Sequence, residues 1–196
     1  FRGNVTDYGN STYLIEYYAP VAGDYRMYVT VGCCPAHPNV GLASELRDMR
    51  SLGLLIEGAP FELHVAPNEV SSLRTTAIGE GVLGAVAGAA TDVDVLFRDL
   101  HGNPTVLGES SYSAGAYIRA EFTDMATGRM FDDSSTEESI TYSTLDATSH
   151  KSVVTYNLSR AGEYHMAIFY GSDAHDNGTY IRDSENEIFG SPFRVR

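Results

Sequence analysis

Apolar residues fall at every second position in several short runs of this chain. Asp92 to Phe97, Ala116 to Phe122, Ser139 to Leu145 and Ser152 to Tyr156 all alternate, and Gly, Pro, Asn and Ser separate them. A period of two is the signature of a half-buried strand, and many short strands between turn signals predict an all-β sandwich. The same alternation marks Tyr25, Met27 and Val29, then Phe61, Leu63 and Val65. Tyr164, Met166 and Ile168, and finally Phe193 and Val195, repeat it. Asp99-x-x-Gly102-Asn103-Pro104 reads as a turn, because Gly and Asn tolerate positive φ. One helix is predicted: Leu42, Leu46 and Met49 have helical spacing and Gly53 could end it, within a long insertion before Gly58.

The pattern occurs twice. Ala22-Gly23-Asp24-Tyr25 returns as Ala161-Gly162-Glu163-Tyr164, and Gly58-Ala59-Pro60-Phe61 returns as Gly190-Ser191-Pro192-Phe193. Tyr17 and Tyr156 each stand six residues before their glycine. Gly162 follows Gly23 by 139 residues, a spacing within the size of one domain. We therefore expect residues 1–68 to be the C-terminal part of one repeat and 69–196 a complete one. On this reading the chain is a piece of a longer polypeptide and enters partway through a domain.

Each repeated element has a physical reading. Gly23 and Gly162 open a strand, and Tyr25 or Tyr164 follows the turn, where a phenol can bond back to the backbone as a tyrosine corner. Gly58 and Gly190 permit a tight turn. Pro60 and Pro192 lack an N–H and so suit the first residue of a strand. Phe61 and Phe193 are expected to plug the core between the sheets.

These residues resemble the filamin-type immunoglobulin repeat, whose last strands read Gly-x-Tyr and then Gly-Ser-Pro-Phe-x-Val. Ala77-Ile78-Gly79-Glu80-Gly81-Val82-Leu83, Val86-Ala87-Gly88 and Phe97-Arg98-Asp99-Leu100-His101-Gly102-Asn103-Pro104 resemble that family's first strands and the following turn. The similarity spans about Val70 to Arg196, plus the tail of a preceding repeat. It departs in length, with extra residues around Thr123 to Thr141 and before each last strand. The resemblance implies an immunoglobulin-like β-sandwich that serves as rod, spacer and docking surface. In that family partners often add a strand to an exposed sheet edge. Filamin-type repeats also occur on gamete and other cell surfaces in plants and algae.

Composition narrows the classes. The formal charge is −13 over 196 residues. That argues against nucleic acid, which needs clustered Lys and Arg, and against anionic membrane surfaces. The acidity reads as a solubilising surface, and Asp132-Asp133-Ser134-Ser135-Thr136-Glu137-Glu138 as a solvated loop. No run approaches the ~20 apolar residues that span a bilayer.

Four sequons, at Asn4, Asn10, Asn157 and Asn177, exceed the roughly one or two that chance supplies, and they point to N-glycans on an extracellular or cell-surface protein. The alternative is coincidence in a Ser/Thr-rich cytoplasmic chain. Cys33 and Cys34 are adjacent and can bond to each other only with strain. In an oxidising compartment they would pair elsewhere, with cysteines beyond this sequence or on another chain; in the cytosol they would be thiols.

Catalytic and metal chemistry finds no support. None of the six histidines, His37, His64, His101, His150, His165 and His175, has zinc spacing. His64 and His165 alternate away from the core side of their strands. Asp173-Ala174-His175-Asp176-Asn177-Gly178 begins like a calcium loop, but Ser184 stands where a bidentate Glu is required. Gly79-x-Gly81-x-x-Gly84 has no helical pattern after it, and so is no dinucleotide fingerprint. There is no Gly-x-Ser-x-Gly elbow. The expected function is a non-enzymatic adhesive or structural module without cofactor, contacting other protein chains, for instance on a gamete or cilium surface. The alternatives are an intracellular cytoskeletal scaffold or a noncatalytic domain of a larger enzyme.

Overall fold

The computed structural model describes residues 3–31, 54–106, 116–132, 135, 138–144, 150–172 and 187–196. Contacts divide the chain into two compact units, Phe1–Ala66 and Pro67–Arg196. The predicted helix around Leu42, the cysteines Cys33 and Cys34, Asn177 and the Asp173–Asp183 loop lie outside the described residues.

The first unit holds two antiparallel pairs. One joins β1 (Asn4–Asp7) to β2 (Tyr13–Glu16), and the other joins β3 (Gly23–Met27) to β4 (Phe61–Val65). The second unit contains β5 (Thr76–Ile78), β6 (Thr91–Leu96), β7 (Ala116–Asp124), β8 (Met130–Phe131), β9 (Ser139–Thr144), β10 (Lys151–Asn157), β11 (Tyr164–Ser172) and β12 (Phe193–Val195). They form two four-stranded sheets, ordered β5-β6-β10-β9 and β12-β11-β7-β8. This is an immunoglobulin-like β-sandwich.

Alternation explains the core. Val93 and Val95 of β6 and Val154 and Tyr156 of β10 point inward from one sheet, and all are fully buried. Ile118, Ala120 and Phe122 of β7 and Tyr164, Met166 and Ile168 of β11 meet them from the other. Phe122 packs on Tyr156 with ring centroids 4.8 Å apart, which fastens sheet to sheet. Between β5 and β6 a 3-10 turn, Glu80–Val82, lies against the sheet so closely that a Cβ on Gly81 would sit 2.5 Å from the Asp92 carbonyl oxygen. Only glycine fits there.

The Asp99 turn is built by hydrogen bonds. The buried carboxylate accepts from the backbone N–H groups of Asn68, His101 and Asn103 and from the Asn103 side chain, at 2.8–3.0 Å. Burial opposes the charge, but these four donors outweigh it and hold the pKa at about 2. Gly102 adopts φ 85° to close the turn.

The two copies of the sequence repeat share one geometry. Tyr25 pairs with Leu63 and Met27 with Phe61; Tyr164 pairs with Val195 and Met166 with Phe193. Isolated bridges then join Thr30 to Leu55 and Phe169 to Glu187, three positions out of the main register in both copies. The Ile56 N–H donates to the Val29 carbonyl at 3.1 Å, and the Ile188 N–H donates to the Ile168 carbonyl at 3.0 Å. The Tyr25 hydroxyl donates to the Val21 carbonyl at 2.7 Å, and the Tyr164 hydroxyl to the Arg160 carbonyl at 2.8 Å. Gly58 and Gly190 have φ 86° and 90°, and the rings of Phe61 and Phe193 pack against them.

Two expectations need correction. Phe193 packs against the buried cluster but is itself only half-buried, whereas Val195 is 1% exposed. Its ring also meets the Gly190 turn, 3.5 Å from where a Cβ on that glycine would stand. Phe61 is half-buried in the same way. Nor is the run from Asp132 to Glu138 simply solvated. Asp132 pairs with the Arg119 guanidinium, and Glu138 accepts from both the N–H and the hydroxyl of Ser159 at 2.7 Å.

Candidate docking edge

Part of one hydrogen-bonding edge of β7 has no partner strand among the described residues. One edge of its nine residues is fully paired, since all of Ala116 to Asp124 register with β11. The other edge is paired only at Phe122 and Thr123, which meet Phe131 and Met130 of β8. Among the described residues no strand is paired to that edge from Ala116 to Glu121.

The direction of the backbone groups follows from alternation. The Asp124 N–H donates to the Arg129 carbonyl on the β8 side, so the even-numbered residues turn their N–H and C=O groups that way. Ala116, Ile118 and Ala120 therefore face the open edge. The Ala120 N–H meets the Tyr142 hydroxyl oxygen at 3.0 Å. Tyr142 belongs to β9 in the opposite sheet, where it registers with Val154. A side chain from one sheet thus occupies a donor on the edge of the other.

A charged cluster lies beside this edge on the outer face of the sheet. The Arg119 guanidinium donates to Asp132, and its Nε stands 3.7 Å from Glu121 Oε1. Glu121 is 7% exposed, and Phe169, registered opposite Arg119, is 4% exposed. Ala167, opposite Glu121, is buried as well. The outer face of β7 and β11 is therefore covered here, which a one-sided sheet would not require.

The sequons take different places. Asn4 lies exposed on β1, and Asn10 lies exposed in the turn between β1 and β2. The Asn10 side-chain oxygen accepts the Thr12 N–H at 3.1 Å. Asn157 ends β10, half-buried, and its sequon serine is the residue held by Glu138. His64 stands exposed on β4, 2.7 Å from Asp24. Among the described residues no three His, Cys, Asp or Glu side chains converge as a metal site would require, and no helix is long and apolar enough to cross a membrane.

The open edge was not a reading of the sequence. No local signal reports it, because whether a strand is paired depends on residues distant in the chain. A faint pointer was Tyr142, the one aromatic in a run otherwise made of Ser, Thr and Ile140.

No protein-family model matches the chain, and no curated protein matches it. Among solved structures, it is similar to the crystal structure of the Lin-41 filamin domain, at 16% identity and a TM-score of 0.42. The match covers 67% of this chain and 97% of that one.

Proposed function

We propose that the chain is a structural, protein-docking module of filamin type, and that β7 receives an extended peptide as an added strand. The observation that carries this is the open edge from Ala116 to Glu121, with the Ala120 N–H held by the Tyr142 hydroxyl. An incoming strand would take over that donor and displace the phenol. Main-chain hydrogen bonds would supply affinity, and the alternate side chains would supply specificity. No reacting group is needed for this role.

The test is titration of the full chain with a soluble peptide of alternating valine and serine, followed by NMR. Chemical shift changes are expected along Ala116–Glu121 and at Tyr142, and Tyr142→Phe should bind more tightly because the edge donor is released. Changes centred on another edge, or none with either protein, would sink the reading.

The compartment we propose is extracellular or cell-surface, with adhesion as the biological role. The exposed Asn4 and Asn10 sequons support it. Intact mass of material from the native source, before and after glycosidase, checks it. A mass that does not fall on treatment would remove the outward-facing assignment and leave the docking edge standing.

A further inference from the structure

Between β5 and β6 every residue from Gly81 to Ala90 is Gly, Ala, Val or Leu, and the nearest charges are Glu80 and Asp92. Leu83 and Val86 are 75% and 73% exposed, the highest values among the large apolar side chains described. Val82 and Ala85 pack against the core and anchor the loop. Its main chain is tied down as well. The Leu83 and Gly84 N–H groups donate to the Glu80 carbonyl, and the Ala85 N–H donates to the Arg196 carbonyl at 3.0 Å. The Gly88 N–H donates to the Leu158 carbonyl at 2.8 Å, and the Ala89 N–H to the Val86 carbonyl at 2.9 Å. Leu83 and Val86 are thus displayed to solvent from a fixed backbone.

These features select the occupant. Lipid offers no partner to a main-chain N–H, so a segment that enters it must have its donors bonded within the protein, as most of these are. A protein partner is read by aromatic, arginine and hydrogen-bonding side chains, and the loop carries none. A second copy would bring a further charge of −13, and self-repulsion keeps such chains apart. A cleft of about 60 Å³ beside the loop is lined by Ala85, Ala87, Arg160 and Arg196 among others, and both arginines are exposed. A guanidinium matches phosphate oxygens in geometry and charge. Glu163, which accepts from both Arg194 and Arg196, places a carboxylate among them. The rim therefore carries both signs, as a zwitterionic headgroup does.

We propose that the loop from Gly81 to Ala90 is a contact site for a zwitterionic phospholipid surface. Leu83 and Val86 enter the boundary between headgroups and acyl chains, and Arg160 and Arg196 meet the phosphates. The loop lies on the bilayer and does not cross it, since its apolar run is far short of the ~20 residues of a spanning helix. The net charge of −13 opposes anionic lipid, so the surface is one of zero net charge. This inference is independent of the docking edge on β7.

Flotation of the 196-residue chain with phosphatidylcholine vesicles tests it, beside sedimentation of the same chain without lipid. The chain should float with the vesicles and sediment as a monomer without them. Leu83→Ser combined with Val86→Ser should weaken vesicle binding by about 10-fold or more. Its urea midpoint should stay unchanged, because both side chains already meet water. The sequence has no Trp, so Leu83→Trp supplies a single indole, whose emission should shift to the blue when vesicles are added. Leu73→Trp, at a position 65% exposed in the turn before β5, should show no shift. Failure of the unaltered chain to float would overturn the proposal, as would equal flotation of the double serine variant. A shift at Leu73→Trp as large as at Leu83→Trp would move the contact elsewhere and overturn it too. Self-association without lipid that the double variant abolishes would make a second copy the occupant instead.

Discussion

The Tyr156 hydroxyl donates a 2.6 Å hydrogen bond to the Gly81 carbonyl, joining an interior strand of the sandwich to the 3-10 turn after β5. Both partners are buried. Tyr156→Phe should cost about 1 kcal/mol at neutral pH, measured by urea unfolding, because the Gly81 carbonyl loses its donor.

The same phenol makes the fold sensitive to alkali. Burial disfavours the phenolate and pushes the Tyr156 pKa up to about 12. The folded protein therefore keeps this proton to higher pH than the unfolded chain does. The contribution to stability is complete below about pH 10 and is lost as pH rises through about 12. The urea midpoint should fall over that window, and Tyr156→Phe should flatten the fall. Tyr164, pushed upward first by burial, adds to it in the same direction.

Acid acts through Asp99, with the opposite sign. Its folded pKa of about 2 lies below the ordinary carboxylate value, so its contribution is present above about pH 4 and is lost as pH falls toward 2. Asp99→Ala should remove that acid dependence. It should also cost on the order of 3 kcal/mol at pH 7, because Asn68, His101 and Asn103 all lose an acceptor. An unchanged thermal midpoint would refute this role for the turn.

Gly81→Ala should be among the most damaging single changes. Its methyl group would stand 2.5 Å from the Asp92 carbonyl oxygen and 2.8 Å from a Val93 methyl, so turn and strand must separate. A loss of about 3 kcal/mol is expected in denaturant unfolding, at the upper end for overpacking. Gly88→Ala meets no neighbouring atom, so its cost arises from positive φ alone and should be smaller.

The partial burial of Phe193 ranks two further variants. Ile168→Ala removes a side chain that is 0% exposed and should cost roughly 3–4 kcal/mol. Phe193→Ala should cost less, about 2 kcal/mol, because part of the ring already meets water. The reverse order in a paired urea experiment would put Phe193 back in the core.

Alternation was enough to find β6, β7, β9 and β10, because each carries at least two apolar residues at period two. It could not find β1, where Val5 is the single apolar residue, or β8, whose two residues are too short to show a period. It assigned faces but not depths, which is why Phe193 and Val195 looked equivalent. It also pointed Phe169 and Ala167 outward, where a second covered layer buries them. The docking edge was the least legible part. Ile118 and Ala120 read as ordinary strand residues whether or not a neighbour pairs with them.

A strand edge that accepts a ligand also accepts another copy of itself, and from there a growing fibre. Tyr142 engages one of the donors that such growth would use as its template. On the proposed docking reading, any gain in ligand affinity from removing the phenol would come with a lower threshold for aggregation.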